Sequence, residues 1–156
     1  MRTLVHTRRV STIGVALLFA LTPAVGYAAD IDTSTDEPSS AAAVRATDCS
    51  GSGSTGFPWS RCTRLDNGVL VHGKKTNDTE TRATTSYEKN AGGSVTLRLG
   101  YSKNGSEHWS AYFTQKKGET KSRSWRFGPR NQECKSSIGL LQERGSDKRQ
   151  TPIQKC

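Results

Sequence analysis

Apolar and polar residues alternate along most of the chain beyond its N-terminal segment, and the alternation is clearest in residues 94–115. Val95, Leu97, Leu99 and Tyr101 alternate with Thr96, Arg98 and Gly100, the period-two pattern of a strand with one buried face. A polar stretch, residues 102–107, follows and carries an Asn104-Gly105 turn signal. In the next run Trp109, Ala111 and Phe113 alternate with His108, Ser110 and Tyr112. The pattern predicts a hairpin that seeds the core, with Trp109 and Phe113 facing inward and Arg98 and Tyr112 outward on neighbouring strands.

The flanking segments extend this reading. Residues 63–72 predict a second hairpin around Asn67-Gly68, residues 73–82 a polar loop, and residues 83–89 a strand joined to the central hairpin through residues 90–93. After a turn at residues 116–119, the strand over 120–127 places Lys121, Arg123, Trp125 and Phe127 on one face, opposite Ser122, Ser124 and Arg126. Residues 134–141 carry Ile138, Leu140 and Leu141, and a last strand over 148–156 begins or bends at Pro152. No segment sustains a helical period. About seven short strands separated by turns predict an all-β domain, a small antiparallel β-sandwich or barrel.

The N-terminus reads differently. Arg2, Arg8 and Arg9 precede a short apolar run, residues 13–21, and Gly26-Tyr27-Ala28 supplies small residues suited to signal peptidase. Residues 1–28 are therefore expected to be an export signal cleaved after Ala28. The apolar run falls short of the ~20 residues that span a bilayer, so no membrane span is expected. Residues 29–48 are rich in Ser, Thr, Ala and acids and predict a disordered acidic arm.

Charge sharpens that division. The whole chain carries a formal net charge of +9. Residues 30–48 hold one arginine, Arg45, against five acids, whereas residues 49–156 carry +10, so an acidic arm precedes a basic domain. All four cysteines, Cys49, Cys62, Cys134 and Cys156, lie in the basic part. An even count in a small exported chain predicts two disulfides. Three pairings are open; Cys49 with Cys62 and Cys134 with Cys156 is favoured because it staples the two ends of the domain. Each bridge is worth about 3 kcal/mol in the chain-entropy model. No C-x-x-C pair exists, and neither a metal nor a cofactor is expected.

Catalytic chemistry has little to build on. The chain beyond the leader has two histidines, His72 and His108, its acids are scattered singly, and no G-x-S-x-G elbow occurs. The match of residues 51–56 to G-x-G-x-x-G has no strand before it and Phe57-Pro58-Trp59 after it, so it reads as a loop rather than a phosphate cradle. A non-catalytic protein is the expectation. The candidate binding residues are Arg45 in the arm and Arg98, Tyr112, Lys121, Arg123 and Trp125 in the domain. They form a basic aromatic surface suited to protein docking, sugar stacking or polyanion contact. For an exported chain the expected partner is another secreted protein, reached through the arm or the basic aromatic face. Anionic cell-wall polymers or glycans are the second choice, and nucleic acid is not expected. A protease-inhibitor reading would present residues 44–46 or the Lys116-Lys117 turn to a trypsin-like cleft.

The run of motifs CTRLDNGVLVHGKK, YEKNAGGSVTLRLGY, HWSAYFTQ, GETKSRSW and TPIQKC resembles small exported proteins of streptomycetes and related actinomycetes. The resemblance covers nearly all of residues 49–156 and implies an extracellular compartment. In architecture, a compact exported domain behind an N-terminal extension, the chain is similar to the small adaptor subunit of streptomycete umbrella toxin particles. That similarity implies an adaptor role, with residues 30–48 as the bridging part.

Overall fold

The computed structural model describes residues 49–156; the expected export signal, the acidic arm and Arg45 lie outside the described residues. Nine strands occur among them: β1 (Ser60–Leu65), β2 (Gly68–Thr76), β3 (Glu80–Lys89), β4 (Val95–Lys103), β5 (Ser106–Trp109), β6 (Phe113–Gln115), β7 (Thr120–Pro129), β8 (Ile138–Glu143) and β9 (Lys148–Gln150). They form two antiparallel sheets, β1-β2-β3-β7 and β5-β4-β8-β9, with β6 also paired to β4. The sandwich-like all-β architecture is the one the alternation predicts, and the strands beyond the expected seven are short. No helix among the described residues is long and apolar enough to cross a membrane.

The core fills the space between the sheets with the inward half of each alternating run. Leu70, Ala83, Tyr87, Trp125 and Phe127 come from the first sheet, and Leu97, Leu99, Tyr101 and Leu141 from the second. The sheets approach closely where β2 meets β8. A Cβ on Gly139 would stand 2.3 Å from the His72 Cβ, so only glycine lets these strands come together. At one side of the sandwich Thr63 Oγ1 donates to the Gln150 carbonyl at 3.0 Å and ties β1 to β9. The disulfides are Cys49–Cys62 and Cys134–Cys156, the favoured pairing, and no free cysteine remains among the described residues.

Three local expectations fail for identifiable reasons. The loop expected over 73–82 is mostly strand. β2 continues to Thr76 and β3 starts at Glu80, leaving residues 77–79 as the turn, where the Asn77 side chain accepts from the Thr79 and Glu80 amides at 3.0 and 2.8 Å. Polar composition hid this strand because its inward residue is Lys74, a buried amine. The turn placed at Asn67-Gly68 falls one residue earlier, because Gly68 already pairs with Leu65.

The third failure matters most. The run after Glu107 is not one strand. Gly100 pairs with Trp109 and Leu97 with Phe113, so three steps along β4 face four along the partner. The extra residue lies among 110–112, where the Leu99 amide donates to Ser110 Oγ at 3.2 Å and the Ser110 amide to the Leu99 carbonyl at 2.8 Å. One inserted residue reverses the side-chain alternation. Trp109 therefore faces outward and Phe113 inward, where a shared inward face was expected.

Candidate functional site

That reversal builds the most distinctive surface of the domain, on the outer face of the second sheet. Trp109, Gly100, Leu140 and Gln150 form one row across β5, β4, β8 and β9. Gly100 has no side chain, and a Cβ there would sit 2.7 Å from the indole, so the Trp109 ring lies flat on the sheet. Arg98, two residues back along β4 and on the same face, brings its guanidinium carbon within 4.4 Å of the Trp109 ring centroid and 5.0 Å of the Tyr112 centroid. Its Nε and Nη2 donate to Gln142 Oε1 at 3.1 and 2.7 Å, which fixes the plane of the fork. Arg144 follows β8, held by its amide donating to the Thr96 carbonyl at 2.9 Å, and lies 5.0 Å from the same Tyr112 ring. Contacts of this kind are worth about 0.5–1 kcal/mol each at exposed sites.

At the other end of the cluster Glu107 accepts from the Trp109 indole N–H at 3.0 Å and pairs with Lys148. The hydrogen bond from Lys148, with smaller help from the indole and the Lys148 and Arg98 charges, holds its carboxyl below the usual range. Glu107 is thus engaged by Lys148, and among the described residues no carboxylate lies within ion-pair distance of Arg98 or Arg144. Two oriented guanidiniums and a tyrosine ring that is 36% exposed make a surface able to receive carboxylates and aromatic or apolar side chains together.

The candidates read from the sequence separate into two places. Arg98 and Tyr112 both lie on the outer face, as expected, and meet there, although Tyr112 sits between β5 and β6 rather than on a strand. Trp125 does not join them: it is a core residue, 6% exposed, tilted against Tyr101 at 5.4 Å. The correction follows from alternation, since Trp125 shares its face with Phe127 and that face of β7 packs on the second sheet. Lys121 and Arg123 lie on the same face nearer the strand's start. They reach over the Phe113 ring at 5.6 and 4.5 Å rather than flanking an exposed tryptophan. The Lys116-Lys117 turn is tight, with the Glu119 amide donating to the Lys116 carbonyl at 3.2 Å. Trp109 and Arg144 are the surface members that sequence reasoning missed. Trp109 was assigned to the wrong face, and Arg144 lies beyond the last strand residue, with no local pattern to mark it.

Two buried polar groups complete the chemistry. His72 Nδ1 and Nε2 lie 2.9 Å from Thr85 Oγ1 and Ser137 Oγ. Thr85 spends its one hydroxyl proton on the Gly100 carbonyl at 2.8 Å, so His72 Nδ1 must donate to it and Nε2 must accept from Ser137. The Ser–His contact has the spacing of a nucleophile and its base. It lacks a third-position carboxylate, however, and Ser137 is 2% exposed. Burial first, and the nearby Lys74 charge second, push the His72 pKa down to about 3, a value unsuited to a general base near neutrality. Lys74 is buried beside it. Its ammonium lies 4.6 Å from the Phe127 centroid and donates to the Lys135 carbonyl, and Lys103 stands over the same ring at 4.2 Å. Burial, then the Lys103 charge, lowers the Lys74 pKa to about 8.

No family model, curated protein or solved structure matches the chain.

Proposed function

We propose that the chain is an exported, non-catalytic interaction module whose partner is another protein, docked on the outer face of the second sheet. One observation carries the reading: Arg98 and Arg144 both address the exposed Tyr112 ring, and no carboxylate of the described residues lies within ion-pair distance of either. Tyrosine and arginine at a rigid, partly desolvated position are the residue types that dominate protein interfaces. The two disulfides fit an oxidising compartment. The resemblance to small exported actinomycete proteins supports export, and the separate architectural similarity to the adaptor subunit of umbrella toxin particles supports an adaptor role, with the acidic arm as a second point of attachment.

The test is a pull-down from the producing organism's culture supernatant. The mature chain, its Tyr112→Ala and Arg98→Ala variants, and a form lacking residues 30–48 serve as baits. A discrete protein captured by the parent chain and lost with Tyr112→Ala supports the reading. Capture that ignores both surface substitutions and depends only on residues 30–48 would move the site to the arm. Retention on washed cell walls with no protein captured would replace the reading with that of an anionic-polymer binder.

A further inference from the structure

A second exposed surface lies at the end of the domain where β1 begins and the C-terminal segment crosses it. Phe57 and Trp59 are 44% and 45% exposed, and their rings stack at 5.4 Å with 28° between planes. Ile153, 55% exposed, belongs to the same end, because the side-chain amide of its neighbour Gln154 donates to the Pro58 carbonyl at 3.4 Å. Among the described residues only Tyr112 joins these three as an exposed large apolar side chain.

The exposure is not slack in a loop. The Cys49–Cys62 disulfide closes the segment, and the Cys62 amide donates to the Gly53 carbonyl at 2.9 Å. The Ser60 amide donates to the Phe57 carbonyl at 3.2 Å, and the Lys74 amide to the Trp59 carbonyl at 3.1 Å. The backbone of residues 53–60 is therefore tied to its surroundings while the two rings face water.

The charge around the rings is mainly basic, with the acid Glu133 at that end. Arg61, whose Nη1 donates to the Phe57 carbonyl at 3.4 Å, and Lys155, two residues past Ile153, belong to this end. The Cys134–Cys156 bridge brings Lys135 to the same end, along with Glu133. The complement of aromatic and aliphatic side chains within a basic rim is an apolar phase beneath negative charge. An anionic bilayer interface has that composition: tryptophan and phenylalanine partition into it, and arginine and lysine meet its phosphates.

We propose that residues 57–59, with Ile153, dock the domain on anionic lipid membranes, independently of the Arg98–Tyr112 surface. Vesicles of phosphatidylcholine, with and without phosphatidylglycerol, are sedimented with the mature protein, with the double variant Phe57→Ala/Trp59→Ala, and with Arg98→Ala. Binding is expected only to the anionic vesicles, weakened by salt and unchanged in Arg98→Ala. The double variant should bind about tenfold or more weaker, with an unaltered near-ultraviolet dichroism spectrum. Brominated lipid should quench a fluorescence component that disappears in Trp59→Phe. Equal binding to neutral vesicles, no binding to anionic ones, or undiminished binding by the double variant would each refute the proposal. The last would mean adsorption by charge alone. Loss of vesicle binding in Arg98→Ala would also refute it, by assigning the lipid contact to the other surface.

Discussion

Three aromatic rings among the described residues, Phe127, Tyr112 and Phe113, each carry a pair of cations, and the first two pairs do opposite things. In the interior, Lys74 and Lys103 stand 4.6 and 4.2 Å from the Phe127 centroid, and both ammoniums donate to backbone carbonyls, of Lys135 and Phe127. On the outer face of the second sheet, Arg98 and Arg144 each stand 5.0 Å from the Tyr112 centroid, and only Arg98 is partly satisfied, by Gln142. The inner pair is closed: Phe127 is 4% exposed and Lys74 2%. The outer pair keeps its charge and most of its donors without a partner among the described residues. The same contact therefore serves folding where each ammonium is anchored on a backbone carbonyl, and serves recognition where most donors are left over.

The comparison breaks most visibly if the rings are removed in turn. Phe127→Ala should cost about 3–5 kcal/mol, the range for large-to-small substitution in a packed core, because it also strips two ammoniums of the surface they lie against. Tyr112→Ala should cost under about 1 kcal/mol. Urea unfolding of both variants measures the gap, and similar losses would show that the outer pair is structural too. The next effect concerns the bridge beside the inner pair. Replacing Cys134 and Cys156 with serine should cost about 3 kcal/mol, and the carbonyl of Lys135, next to Cys134, should loosen its hold on Lys74. Water admitted where the bridge had held the segment would relieve the burial that lowers the Lys74 pKa, and the amine would then titrate nearer its ordinary value of 10.5, which amine nitrogen chemical shifts would report.

Lys74 also provides a pH signature. Below about pH 8 the amine is charged in the folded and the unfolded chain alike, and the fold bears the cost of burying it. Between about 8 and 10.5 the folded chain has released a proton that the unfolded chain retains, so stability should rise with pH across that window. Lys74→Met should abolish the rise and leave the protein more stable at pH 7, by on the order of 2 kcal/mol. A Met variant that is less stable at pH 7 would mean that the carbonyl and ring contacts outweigh the burial cost.

These contrasts also mark what could be read from the chain. The inward stripe of Leu97, Leu99 and Tyr101 and the outward position of Arg98 follow from alternation alone, because a half-buried strand enforces period two. The disulfide pairing found is the one favoured for stapling the two ends of the domain, although the sequence left three pairings open. Lys74 defeated the reading, since a buried ammonium looks like loop composition until its carbonyl and ring are known. The outer cluster was half legible. Arg98 and Tyr112 were placed correctly, but the single residue inserted among 110–112 turned Trp109 outward beneath Arg98, and nothing in an alternating run shows where its phase slips. Trp125 went the other way, because the lysine and arginine sharing its face hid its partnership with Phe127.

A small change in stability also gives the sharpest test of the outer pair. Arg98→Lys keeps the charge but loses the planar fork, so the stacking on Trp109 and Tyr112 and the two bonds to Gln142 Oε1 go with it. None of these groups is deep in the core, and the loss on unfolding should be about 0.5–1 kcal/mol. Affinity for a captured partner should fall about tenfold or more, while doubling the salt concentration should weaken the parent and the variant alike. If lysine binds as well as arginine, the surface reads charge without geometry. The partner would then be a flexible polyanion rather than a folded protein that presents carboxylates at fixed positions.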